Sequence, residues 1–312
     1  MKKFVIGGIL SIILALSGQT FSQGASQVED LSKSSNNAPP MLGIHWARGA
    51  DPFYRLREGR SGGGKPRRTS PNMTYHGGVI MPTAVTQNIF WGTSWNGYTG
   101  DEISGLDSWY TGFDGSNYAK TSDEYTGSNV QVGAVTTHVG HLIDSSAASG
   151  GNNTSAILNE VCKEIGPPVT NGYYSVYTDL PRNGNYCAYH SVGFCPNSNT
   201  PVQFAFFWKL DGDPGCDPQD ASRLHSQGLA ALANVSGHEL SEARTDPDNP
   251  GAWYDSSGQE NGDKCAWTFN VPLVTFSNGT QWKIQGEWSN AAFTAGTGYA
   301  NSAGQKGCLD GH

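Results

Sequence analysis

The chain has 312 residues, 41 of them glycine and only 15 % charged, with nine Trp, thirteen Tyr and twelve Phe. So many turn-formers exclude a helix bundle or coiled coil, and the aromatic content excludes wholesale disorder because it supplies the apolar surface of one sizeable core. Net charge is −8 but uneven: eight Lys/Arg face four acids between Gln27 and Met73, against nine basic and 23 acidic residues from Thr74 onward, which argues against nucleic-acid binding by the larger part.

In chain order, Met1-Lys2-Lys3 and the apolar run Phe4 to Leu16 have the order of a secretory signal, residues 1–24, and the run is too short to span a bilayer. The mature chain is therefore expected to be exported, extracellular or periplasmic, with no membrane span. Residues 25–73 contain Asn36-Asn37-Ala38-Pro39-Pro40 and Ser61-Gly62-Gly63-Gly64-Lys65-Pro66, and read as a basic flexible leader or a pro-region clipped near Arg67-Arg68. Residues 74–312 form the single domain. Its six cysteines (162, 187, 195, 216, 265 and 308) suit up to three disulfides in an oxidising compartment, with the pairing open.

Short β-branched or aromatic runs predict strands at 85–91, 130–137, 172–178 and 202–208, and helices are expected near 102–112, 153–165 and 218–243. The fold class is α+β, with a mixed α/β arrangement as the alternative: one zincin-like domain holding a β-sheet and a metal-site helix. The third helix is given Asp217 as N-cap and Pro218 in its first turn, and Thr245-Asp246-Pro247 ends it.

The last two turns of that helix carry the chemistry. His238-Glu239-Leu-Ser-Glu242 is an H-E-x-x-E sequence, and at about 100° per residue His238 and Glu242 share one face while Glu239 points elsewhere. This is the zinc-hydrolase H-E-x-x-H pattern with its second histidine replaced by a carboxylate, so one zinc ion is expected on His238 and Glu242, with Glu239 taking a proton from water as general base. The third ligand is assigned to Glu260, 22 residues after His238, with Asp263, Asp246 and Asp248 as alternatives. His225 falls on the far side of a straight helix. Two carboxylates would neutralise a divalent ion, making harder ions competitive with zinc and its water less acidic.

Other constellations have plainer readings. Cys187 with His190 is a half-cystine beside a packed imidazole, not a thiol nucleophile; His138 and His141 are packed or surface histidines around a turn at Gly140; Asp211 to Asp217 is a turn held by Cys216, not a calcium loop; Tyr75-His-Gly-Gly78 is the turn into a strand, not an oxyanion loop. The leader's glycine run resembles a phosphate loop, but Pro66 stands where a Ser/Thr is needed.

Taken in order, Tyr75-His-Gly-Gly78 with Asn88-Ile-Phe-Trp91, then Cys187-Ala-Tyr-His190, Gln203-Phe-Ala-Phe-Phe-Trp208, the segment 238–247 and the stretch 260–265 resemble the phosphate-induced protein 1 (EXORDIUM-like) family over residues 74–312. The resemblance implies a secreted, wall-associated protein linked to growth. Plant members generally lack the complete metal pattern, whereas His238, Glu239 and Glu242 stand together here. Two functions follow as expectations: a secreted zinc metallohydrolase, a peptidase acting on protein or peptide, or a non-catalytic extracellular or cell-wall interaction protein.

Overall fold

The computed structural model describes residues 38–52 and 70–312, so the signal segment and most of the leader lie outside the described residues. The architecture is α+β around one mixed six-stranded sheet. Its strands are β1 (Leu42–Trp46), β3 (Ala84–Trp91), β4 (Thr136–Asp144), β5 (Gly172–Pro181), β6 (Tyr186–Phe194) and β7 (Pro201–Lys209), in the order β1-β6-β7-β5-β3-β4. β1, β6 and β7 pair antiparallel, and β7, β5, β3 and β4 pair parallel. The parallel strands read as near-continuous apolar runs because helices cover both faces.

On one face lie α1 (Glu102–Phe113) and α3 (Gln227–Thr245). The other face takes α2 (Thr154–Glu164), started by the Asn153 side chain accepting from the Ala156 N–H. Along β6 the alternation separates the two: Tyr189 donates to the Gly151 carbonyl and Gly193 abuts Leu158 of α2, so His190 is turned towards α3. A short hairpin-like pair, β2 (Thr74–Tyr75) with β8 (Trp253–Tyr254), then α4 (Asn261–Cys265), β11 (Glu287–Trp288), α5 (Asn290–Ala295), β12 (Tyr299–Ala300) and β13 (Lys306–Leu309), close over the C-terminal end of α3. The remaining short pair is β9 (Val274–Thr275) with β10 (Gln281–Trp282).

Several expectations need correction. β1 lies inside the segment assigned to the leader, yet it is hydrogen-bonded to β6 as a sheet edge, since the alternating Leu-Gly-Ile-His-Trp run can bury one face. α3 starts at Gln227, capped by Ser226, whose Oγ accepts from the Leu229 N–H at 3.1 Å. Residues 218–225 stay out of the helix because Asp217 and Asp220 hold local turns to Gln219 and Ser222, and Gln219 and Arg223 adopt left-handed φ. The expected strand at 130–137 is mostly irregular, regular pairing with β3 beginning at Thr136, and β6 lies where no strand was assigned.

All six cysteines are paired, as 162–195, 187–216 and 265–308. Three closed loops of this kind fit an exported protein. Among the described residues no helix is long and apolar enough to cross a membrane.

Candidate metal centre

α3 is buried from Gly228 to Thr245, so its polar residues are interior groups that need partners. His238, Glu239 and Glu242 are all 0 % exposed. His238 Nε2 and Glu242 Oε2 lie 3.1 Å apart, the i,i+4 approach expected of one helix face. Neither atom has a hydrogen-bond partner, and neither oxygen of Glu239 has one. The two atoms are close enough for both to reach one cation.

Neighbouring elements complete the cluster. β6 contributes His190, whose Nε2 is 3.3 Å from Glu260 Oε2, and α4 contributes Asp263, whose Oδ1 is 3.7 Å from His238 Nε2. Ligand atoms of His190, Glu242 and Glu260 lie within 4.8 Å of one another, and so do those of His238, Glu239 and Glu242. Glu242 is shared. Its other oxygen accepts the Asp263 N–H at 2.9 Å, and Asp263 Oδ2 accepts the Glu260 N–H at 3.2 Å, so backbone bonds tie the returning loop to the helix. The disulfide from Cys265 to Cys308 anchors the end of α4.

Burial sets the protonation of this cluster. Burial pushes the His238 pKa down to about 3 and that of His190 to about 4, so both imidazoles are neutral with a lone pair to give. Burial raises Glu242 to about 7, and it carries Glu239, Glu260 and Asp263 well above the usual carboxylate range, with the neighbouring carboxylates pushing the same way. The nearby buried cations face other groups: Arg244 donates to the Ala119 and Gly133 carbonyls, and Lys264 pairs with Asp255 at 2.7 Å. A divalent ion would supply the missing positive charge.

A second layer orients the histidines. Gln285 Oε1 accepts from His45 Nε2 at 3.0 Å, while its Nε2 donates to the Gly262 carbonyl at 2.8 Å and stands 3.1 Å from His238 Nδ1. His45 packs edge-on against His238 at 4.3 Å. Gln285 is fixed in this orientation by the Gly262 carbonyl and by the Trp267 N–H on its oxygen, so its amide N–H faces His238 Nδ1 and leaves the ring's own proton to Nε2.

The expected residues therefore divide. His238, Glu239 and Glu242 stand together; Glu260 joins them through His190 and Glu242, not through His238; and Asp263 sits between the two groups. Asp246 instead caps α3 and accepts the Ala252 N–H, and Asp248 accepts the Asn249 N–H. His225 precedes the helix, stacked on Trp282. No family model, curated protein or solved structure matches the chain.

Sequence reasoning missed His190, His45 and Gln285 as members of the centre. The legible signal for His190 was the alternation of Ala188 and His190 with Cys187 and Tyr189, which puts the imidazole on the face opposite Tyr189. Cys187 is indeed a half-cystine, but the packed imidazole beside it has Glu242 and Glu260 as neighbours. His138 and His141 both reach Asp107, at 2.9 and 2.6 Å, because a bulge at Gly140 (φ +91°) puts residues three apart on one side of β4. The segment 211–217 is a turn, with Asp213 paired to Arg182 and Cys216 bonded to Cys187.

Gly43 of β1 is where the centre is tightest. A Cβ there would stand 2.0 Å from Glu242 Oε2 and 2.5 Å from His190 Nε2, and its φ of +42° already favours glycine. Gly43→Ala is expected to weaken metal binding at least about tenfold without removing any ligand, by forcing Glu242 and His190 apart. Competition titration against a chromogenic chelator reads this directly, and wild-type affinity in the variant would place the ion elsewhere.

Proposed function

We propose that this chain is an exported zinc-dependent hydrolase acting on peptide bonds, with one ion held by His238 and Glu242 together with His190 and Glu260, and with Glu239 as general base. One observation carries the reading: His238 Nε2 and Glu242 Oε2 sit 3.1 Å apart, fully buried, with no hydrogen bond to account for them. The donor set of imidazoles and carboxylates suits zinc, and the H-E-x-x-E placement on one helix is that of hydrolases of peptide bonds.

When bound, the ion would polarise the substrate carbonyl and make water acidic enough to react near neutral pH. Glu239 accepts the proton that water gives up and returns it to the leaving amine. Its site favours this, since burial and the adjacent carboxylates raise its proton affinity against the smaller opposing pull of the His45 backbone N–H. Gln285 and His45 hold the His238 ring in place.

The deciding experiment is elemental mass spectrometry of untagged exported protein together with a peptide-cleavage assay. Wild type is expected to carry about one equivalent of zinc, and His238→Ala and His190→Ala to lose it along with cleavage. No metal in the wild type would sink the reading. The complete burial of His238, Glu239 and Glu242 favours the other one, a non-catalytic extracellular or cell-wall protein of the EXORDIUM type, and metal with no cleavage of any peptide would point there.

A further inference from the structure

Asp263 has a second neighbourhood, a cavity of about 300 Å3 that also has Trp46, Arg48, Asp51 and Trp267 in its walls. This size is at the small end for a ligand pocket, enough for one amino-acid side chain and its polar ends. Trp267 is held unusually firmly. Its backbone is left-handed at φ +59°, its indole Nε1 donates to the Trp46 carbonyl at 2.9 Å, and its ring meets the edge of His45 at 4.6 Å. A bulky residue is rarely kept in that backbone region unless its surroundings insist on it.

Arg48 also stacks on that indole, its guanidinium carbon 4.5 Å from the ring centroid, and its Nη2 donates to the Asp217 carbonyl at 2.8 Å. Stacked and tied at one nitrogen, the guanidinium is aligned in advance, and its other N–H edges match the two oxygens of a carboxylate. Asp51 and Asp263 also line the cavity, and Arg48 is the one cation among its described lining residues, with Asp217 close enough to stabilise its charge.

We propose that this cavity receives the C-terminal residue of a peptide, with a large apolar or aromatic side chain against Trp46 and the rim of Trp267 and the terminal carboxylate on Arg48. This rests on the hydrolase reading above and names its substrate class: peptides with a free C-terminus, shortened from that end. In the reaction, a water oxygen bonds to the acyl carbon of the last peptide bond and the C–N bond breaks. Glu239 passes the proton released by the water to the departing amine, so one water is consumed per residue freed.

Calorimetric titration tests the cavity apart from catalysis, using N-acetyl-L-phenylalanine and its amide as probes on metal-loaded and on chelator-treated protein. The acid is expected to bind at least about tenfold tighter than the amide in both forms, as a charge-assisted pair predicts. Arg48→Gln, a change at an exposed side chain, should erase that preference without altering the fold. Acid preference persisting in a protein that cleaves nothing would uphold the cavity while the hydrolase reading falls. Equal binding of acid and amide, a preference that survives Arg48→Gln, or tighter binding of lysine amide than of the acid would each overturn the proposal.

Discussion

Glu239→Gln is expected to lower kcat for peptide cleavage by about 10²- to 10⁴-fold, the range a general base commands, while bound zinc stays at its wild-type level. The substitution keeps shape and removes one proton-accepting group from a site that is 0 % exposed, so it should not disturb packing. It also removes one of several mutually repelling carboxylates, and the metal-free variant should therefore unfold at a higher temperature than metal-free wild type near neutral pH. Glu242→Gln is the contrast: it takes away the carboxylate common to both ligand groups and should lose metal and activity together. If Glu239→Gln shed the ion as completely as Glu242→Gln does, Glu239 would be a ligand and the proton would have to be taken by another group.

Helical spacing made half of this centre legible. His238, Glu239 and Glu242 are fixed relative to one another by 3.6 residues per turn, a local property that any sequence in that helix shares. Glu260 and Asp263 were visible only as acids at a loop distance, and backbone bonds from Asp263 and Glu260 decide how they return. His190 and His45 depend on sheet order. β6 and β1 are neighbours only because the chain crosses from β6 to β7 and adds β1 at the edge, and strand order leaves no local trace. The serine- and proline-rich stretch before Leu42–Trp46 and the glycine- and arginine-rich one after it hid a strand whose own five residues alternate properly. Turn chemistry hid the start of α3 in the same way: Pro218 looks like a first-turn residue until Asp217 and Asp220 are seen to hold the backbone in turns of their own.

Removing the metal should invert the usual pH dependence of stability. A carboxyl whose folded pKa exceeds its unfolded value binds more protons when folded, so its contribution is fully present below the unfolded pKa and is lost as pH rises through the folded one. Glu242 moves from an ordinary 4.5 to about 7, and Glu239, Glu260 and Asp263 shift in the same direction. His45, His190 and His238, buried and neutral with folded pKa values below the ordinary 6.5, act in the opposite sense and add stability as pH rises to that value, so chelator-treated protein is expected to lose thermal stability above it, between about pH 6.5 and pH 8. Glu242 by itself is worth on the order of 1 kcal/mol across that interval. Acids held low by their partners, Asp213 beside Arg182 and Asp255 beside Lys264, lose their contribution only at acidic pH, below this interval. Zinc should reverse the slope, because ligands bind the ion in their deprotonated form and each binding event releases protons. Thermal unfolding of loaded and stripped protein at half-unit pH steps reads both slopes, with Glu242→Gln expected to flatten the stripped curve. Stripped protein that gained stability from about pH 6.5 to pH 8 would mean that these carboxylates do not face one another uncompensated, and the case for a cation among them would fail.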